Sequence, residues 1–413
     1  MKAVVWHDVG DIRLDDVPEP TVEQPTDAVI RLTSSAICGT DLHFIRGTMA
    51  GMKPGTILGH EGVGVVEQLG SDVRDFDTGD RVVICSTIAC GTCSYCRAGY
   101  FAQCDKANPN GPDAGTSFFG GPQTTGPVNG LQAERARIPF ASTTMVKLPD
   151  AVSDDQAILI SDIFPTGWFG AKLAEVGTGD TVAVFGCGPV GQFAIASAKL
   201  LGAGRILAVD KYEDRLAMAR RQGALTVNFE QEDPVATIKR LTGGIGVDRV
   251  IDAVGVDAMH AHHGPAAAQD GPAAAQAKEK TEQFAAEQRQ VSPQQNPHDG
   301  NWVPGDAPSQ VLEWAVQAVA KAGTIGIVGV YPPAAQSFPI GQAMNRNLTI
   351  KAGNCNHRAY VPHLVELVRS GVIDPTQILS RVEPMTNVIE AYKAFDKREP
   401  GWLKTALRPI AAE

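Results

Sequence analysis

The chain lacks a surplus of positive charge: 36 lysines and arginines stand against 46 acidic side chains, a formal net charge of −10. That balance argues against nucleic acid or an anionic membrane as partner. Long uninterrupted apolar runs are also missing. The longest, VAVFGCGPVGQFAIASA from Val182, is broken by Gly and Pro and reads as strand, turn and helix, not as a membrane span. The opening stretch, MKAVVWHDVGDIRLDD, meets Asp8 and Asp11 before any apolar core of useful length, which is unlike a secretion signal. Cytoplasm is the expected location, and a small molecule the expected partner. No internal repeat is found. What remains is a chain of 413 residues, 43% hydrophobic and 20% charged, long enough for two globular domains.

The texture changes partway along. Over the first 150 residues, short β-like runs (KAVVW, AVIRL, GVGVVEQLG, DRVVI) are punctuated by Gly, Pro and Asp, as in a strand-rich domain. From Thr181 strands and helices alternate: TVAVFG, PVGQFAIASAKLLGA, RILAVD, YEDRLAMARRQGA, VDRVIDAVG and GTIGIVGV. This pattern predicts a doubly wound parallel sheet over 163–352. It lapses at about 259–308 into Ala, Gln, Pro and Asp, read as a polar, solvent-facing excursion, with a possible helix carrying Pro272 near its first turn. The last segment, 353–413, with the amphipathic YVPHLVELVRSG, is expected to return to the first domain.

Eight cysteines occur, and four fall in CGTCSYCRAGYFAQC as Cys90, Cys93, Cys96 and Cys104. The spacing C-x2-C-x2-C-x7-C lets four thiolates converge on one tetrahedral zinc in a lobe at about 88–106. Such a closed site is structural. An iron–sulfur cluster has the same ligand count. Upstream, CGTDLH and GHEGVGVV place Cys38 and His60 as further zinc ligands, provided the fold brings them together. Cys85, Cys187 and Cys355 suggest no role.

Gly186, Gly188, Pro189, Val190 and Gly191 form a G-x-G-x-x-G turn directly after a predicted strand. Gly186 permits the turn, Gly188 lets the backbone approach a pyrophosphate, and Gly191 lets helix and strand pack. The helix that follows offers N–H groups to phosphate. Asp210 ends the next strand, where a carboxylate accepts from ribose hydroxyls and repels a 2′-phosphate, favouring NAD over NADP. Lys211 and Arg215 stand close enough in sequence to weaken that preference. One residue resists a bland reading: Asp162, in LISDIFPTGWFG, puts a carboxylate in an apolar run, which costs several kcal/mol unless compensated.

With CGTD, GHE, the four-cysteine lobe and GCGPVG in this order, the chain resembles the zinc-dependent medium-chain alcohol dehydrogenases. SDIFPTG and the excursion are similar to the glutathione-independent formaldehyde dehydrogenase and dismutase branch. The resemblance implies a GroES-like strand-rich catalytic domain over 1–162 plus a Rossmann-type NAD-binding domain, and two zinc ions per chain. It implies a reactive zinc held by Cys38, His60 and Asp162, whose carboxylate the cation compensates, with Glu61 close by. It further implies proton relay by Thr40 and His43, orientation of His60 by Asp41, and contact of Thr166 with the nicotinamide. A homo-oligomer is implied, tetramer favoured over dimer. The implied reaction is hydride transfer between an alcohol, or aldehyde hydrate, and NAD. An aldehyde dismutase with tightly held NAD and a redox-inactive NAD-binding protein are the alternatives.

Overall fold

The computed structural model describes residues 1–111, 113–267 and 273–409, with backbone alone at 273–276. Pro272 lies outside the described residues. The chain divides into two units, one formed by Met1–Pro165, Gln294–Val303 and Asn354–Glu413, the other by Thr166–Pro293 and Pro304–Gly353. The dividing line falls inside the helix Ile163–Leu173.

The first unit is organised around the strand Ala28–Ile37, which pairs antiparallel with Gly62–Leu69, Arg135–Ile138 and Thr405–Arg408. Its register with Gly62–Leu69 slips at Val29/Ile30 and Leu32/Ser34, and such bulges bend a sheet and sharpen its twist. The register decides what emerges at the sheet's edge. Ser35 faces Gly62 and Ile37 faces Thr405. Antiparallel pairing therefore brings the residues beyond these partners, Cys38, His60 with Glu61, and Lys404, out along one edge. Gly59, at φ +90°, makes the turn into His60; a Cβ there would lie 2.4 Å from Gln132 Cγ.

Asp162 arrives at the same edge by a side-chain stitch. Gly62 also faces Ile84. The Ser161 hydroxyl donates to the Ile84 carbonyl at 2.6 Å and accepts from the Gly62 N–H at 3.0 Å. The helix Asp154–Ser161 that carries it begins with a capping box of Ser153 and Gln156. It breaks at Asp162, whose backbone (φ −140°, ψ −63°) is not helical.

The second unit holds a six-stranded sheet in the order Leu225–Asn228, Arg205–Asp210, Thr181–Phe185, Val247–Asp252, Val319–Ile327 and Thr349–Ala352. Every pairing in it is parallel, the arrangement expected of strand–helix alternation. Val182, Ala183, Val184 and Phe185 are all buried, as strands covered on both faces must be.

The excursion is exposed over 293–300, as a polar, solvent-facing segment should be, but it is anchored at its end. It contains the helix Ala273–Val291, and residues 294–303 belong to the first unit. Trp302 is 1% exposed, and its backbone N–H donates to Asp396 Oδ2 at 2.7 Å. Asp396 in turn pairs with the buried Arg46 at 2.7 Å. Average composition hid this: Trp302 and Asn301, whose Nδ2 donates to the Lys393 carbonyl at 2.8 Å and to Asp396 Oδ2 at 3.1 Å, are buried among polar residues that set the mean.

Candidate metal centre and nucleotide turn

Cys38 caps the helix Gly39–Ile45, and Asp41 Oδ2 accepts from the Cys38 N–H at 3.0 Å. This local turn aims the thiol at the edge where the other donors emerge. Ligand atoms of Cys38, His60, Glu61 and Asp162 all lie within 4.8 Å of one another, and all four residues are buried. Cys38 Sγ is 3.7 Å from Asp162 Oδ2, and His60 Nε2 is 3.4 Å from the same oxygen. Thr40 is half-buried and His43 fully buried on the same helix, three residues apart and so on one face.

Charge is crowded here. Burial pushes the Cys38 thiol up. Burial alone would lower the His60 imidazole, yet Asp41 and Cys38 raise it well above its ordinary value. Burial lifts the Glu61 carboxyl to about 7, against the pull of Lys404. Burial also works against ionised Asp162, but hydrogen bonds from His357 and His60 hold it well below the usual carboxylate range. Glu61 Oε2 is buried with no hydrogen-bond partner. Buried donors in such surplus are costly in a dry interior. One sulfur, one imidazole and two carboxylates fit a borderline divalent cation such as zinc.

Three further layers of this arrangement escaped the sequence. Lys404, wholly buried, donates to Glu61 Oε1 at 2.5 Å and to the Ile37 carbonyl at 3.0 Å. Burial lowers its pKa, and Glu61 outweighs that and raises it. His357 bridges Asp162 Oδ1 at 2.8 Å and the Thr87 hydroxyl at 3.1 Å through its two ring nitrogens. On the other flank, Tyr392 donates to Gln132 Oε1 at 2.8 Å, and Gln132 Nε2 reaches the Ala36 carbonyl at 3.0 Å and Asp41 Oδ2 at 3.3 Å. Asp41 Oδ1 stands 3.3 Å from His60 Nδ1, near enough to attract the imidazole but without hydrogen-bond alignment. His357 begins an amphipathic helix, His357–Arg369. NCNHRAY alone carried no metal-ligand spacing.

The thiolate lobe is built locally. Cys93 caps the short helix Ser94–Arg97. Cys104 Sγ accepts from the Cys90 N–H at 3.2 Å, and Cys90 Sγ accepts from the N–H groups of Thr92 and Cys93 at 3.4 Å each. Burial pushes the Cys90 thiol up, but these donors and the Thr92 hydroxyl bring it down to about 6. All eight cysteines are free of disulfides. Cys93 Sγ and Cys104 Sγ are 4.0 Å apart, close to the roughly 3.8 Å that tetrahedral zinc with bonds of about 2.3 Å requires. Ala102, at the lobe's edge, donates its N–H to Asn356 Oδ1 at 2.9 Å, next to His357.

In the second unit, Gly188 caps the helix Pro189–Leu200, with Pro189 in its first turn. A Cβ on Gly191 would lie 1.8 Å from the Gly186 carbonyl oxygen, so only glycine closes this turn. Above Gly188 the space is open: its Cβ would find only Arg215 Nη1, at 3.8 Å. An open cradle facing a helix N-terminus fits a pyrophosphate. Asp210 Oδ2 accepts from the Cys187 N–H at 2.7 Å, and Oδ1 accepts from the Lys211 and Tyr212 N–H groups at 2.7 and 3.0 Å. The carboxylate is thereby fixed at the strand's end. Lys211 Nζ lies 3.6 Å from Glu230, and the Arg215 guanidinium stacks on Tyr212 at 5.0 Å. Thr166 is half-buried at this unit's start.

Comparison with known proteins agrees with this geometry. The family model described as alcohol dehydrogenase GroES-like domain matches residues 24–150, and that described as zinc-binding dehydrogenase matches 189–273. An uncharacterized zinc-type alcohol dehydrogenase-like protein, AdhB of Bacillus subtilis (strain 168), is 38% identical over 99% of this chain and 100% of its own. The glutathione-independent formaldehyde dehydrogenase of the same organism is 36% identical over 65% of this chain and 69% of its own. Among solved structures, alcohol dehydrogenase TADH from Thermus sp. ATN1 shares a TM-score of 0.79 and 32% identity, covering 99% of this chain and 100% of that one. The chain belongs to the zinc-dependent alcohol dehydrogenases, and it is an oxidoreductase acting on alcohols.

Proposed function

We propose that the chain is an NAD-dependent dehydrogenase of alcohols or aldehyde hydrates that carries two zinc ions, one reactive and one structural. The observation that carries this reading is the buried convergence of Cys38, His60, Glu61 and Asp162 within 4.8 Å. Zinc held by Cys38, His60 and Asp162 would supply Lewis acidity toward a substrate oxygen. The chain's own residues do the rest. Asp162 replaces a second thiolate at equal formal charge, and oxygen donates less electron density than sulfur. Lys404 holds Glu61 beside the three ligands and draws its carboxyl towards the ionised form against the burial that raises it. Thr40 takes the substrate hydroxyl proton and passes it towards His43, one helical turn on. Asp41, fixed by Gln132 and by the Cys38 N–H, orients His60. Cys90, Cys93, Cys96 and Cys104 hold the structural zinc.

In the nucleotide domain, Gly186, Gly188, Pro189, Val190 and Gly191 receive the pyrophosphate. Asp210 holds the ribose hydroxyls and disfavours a 2′-phosphate. Lys211 is engaged by Glu230, and Arg215 lies over Tyr212, which leaves Asp210 to set the preference for NAD. Thr166 contacts the nicotinamide. A homo-oligomer is supported by Ile340 and Met344, which are 66% and 79% exposed; the tetramer, before the dimer, follows from the family likeness alone. Cysteines that form no disulfide support the cytoplasm; among the described residues no helix is long and apolar enough to cross a membrane.

Zinc and NAD content of purified protein, followed by NADH formation across a panel of primary alcohols, secondary alcohols and aldehydes, tests this reading. Two zinc ions and alcohol-dependent NADH are expected; protein with zinc only in the cysteine lobe and no NADH with any substrate would sink it. The likeness to the formaldehyde dehydrogenase favours a second reading, dismutation of aldehyde on retained NAD. Aldehyde consumption without NADH release, by protein that keeps its nucleotide through desalting, would select it.

A further inference from the structure

A third group of ligating side chains stands apart from both sets described above, in the second unit. His260 and His262 open the polar excursion and Asp306 ends it; their ligand atoms lie within 4.8 Å of one another. His260 Nδ1 is 3.0 Å from Asp306 Oδ2, and His262 Nε2 is 3.8 Å from the same oxygen. The two rings are 4.2 Å apart, inclined at 60°. Ligands at about 2.0–2.1 Å on a tetrahedral ion stand about 3.3 Å from one another, and the two measured separations fall on either side of that value.

Backbone hydrogen bonds hold the loop in this shape. Asp306 Oδ1 accepts from the His260 N–H at 3.0 Å. Glu230 Oε2 accepts from the N–H groups of His262 and His263 at 2.9 Å each. Ala307 donates to the Ala258 carbonyl at 3.0 Å. Thus one carboxylate oxygen of Asp306 fixes the backbone while the other faces both rings. Little ordering is left to oppose binding. The three side chains are 30%, 44% and 32% exposed, so an ion can enter and keep water in its remaining positions.

We propose that His260, His262 and Asp306 form a further binding site for a divalent transition metal. Two imidazoles and a carboxylate select zinc, nickel, cobalt or copper over calcium and magnesium, which prefer all-oxygen sites. With no thiolate, the site binds more weakly than the cysteine lobe. Its ion would clip the start of the excursion to its end and so close a long loop.

The test uses untagged, zinc-loaded, desalted protein titrated with Ni²⁺ in a calorimeter. One additional equivalent is expected to bind the wild type. His262→Ala and Asp306→Asn should each weaken that event by at least ~10-fold, while zinc content and circular dichroism stay unchanged. His263→Ala, one residue along and outside the cluster, should bind Ni²⁺ as the wild type does. Ni²⁺ should also raise the wild-type melting temperature and leave that of His262→Ala unmoved. No equivalent beyond the two zinc-loaded sets, or equal loss in the His263→Ala and His262→Ala proteins, would overturn the proposal.

Discussion

The two donor sets of the first unit are assembled by opposite means. The lobe's cysteines follow one another between Cys90 and Cys104, and backbone N–H groups of that same stretch point at the sulfurs. In the reactive set, Cys38 and Asp162 are 124 residues apart, Asp162 and His357 are 195 apart, and Glu61 and Lys404 are 343 apart. A local site is specified by spacing. A distributed one is specified by strand register, and each partner that register delivers can be removed without touching the lobe. The comparison teaches that a substitution in one set should leave the other's metal in place.

The largest effect should come from Asp162→Asn. It removes the carboxylate charge from a set otherwise made of Cys38, His60 and Glu61. We expect kcat/KM to fall on the order of 10³-fold or more, about 4 kcal/mol in transition-state terms. Zinc analysis should show one ion lost and the lobe's ion kept. Loss of both ions would break the comparison. The complementary change, Cys96→Ser, should cost the lobe its ion while the reactive ion remains.

Lys404→Met comes next. It strands the Glu61 carboxylate, buried and short of its cation, and removing one partner of a buried pair costs about 3–5 kcal/mol. Chemical denaturation should register that loss, and adding Glu61→Gln should restore part of it. A loss equal in the single and double variants would mean that the pair is not what Lys404 supplies.

His357→Gln sharpens the comparison further. Groups that orient a metal ligand cost 10–100-fold in metal affinity or activity when removed, and His357 holds Asp162 Oδ1 at 2.8 Å. A fall of that size in kcat/KM, with lobe zinc unchanged, is expected. The Ala102–Asn356 hydrogen bond gives the lobe a route to the same residue. Cys96→Ser should therefore lower kcat/KM too, by less than His357→Gln does.

How much could be read beforehand follows from the same distinction. The lobe and the glycine turn were legible because each is a short run whose spacing is its geometry. Cys38, His60 and Asp162 were named individually from neighbouring residues and family likeness, but spacing alone could not assemble them. Lys404, Gln132, Tyr392 and His357 were not legible. Lys404 is one lysine among many until the pairing of Thr405 with Ile37 carries it to the edge. The stretch 294–303 failed differently, since the polar residues around Trp302 masked an anchor worth a full core position.

The smallest effect tests the outermost layer. Tyr392→Phe removes the hydroxyl that donates to Gln132 Oε1 at 2.8 Å. Gln132 then keeps a buried acceptor with one donor fewer, a loss of about 1 kcal/mol in stability. Its amide still reaches Asp41 Oδ2 and the Ala36 carbonyl, so His60 should keep its place and both zinc ions should stay. Activity should change by no more than a few-fold, because each bond between Tyr392 and the metal set absorbs part of the displacement. Gln132→Ala, which frees Asp41 directly, should cost more than Tyr392→Phe in kcat/KM. The reverse order would show that Tyr392 acts on Asp41 directly, without Gln132 between them.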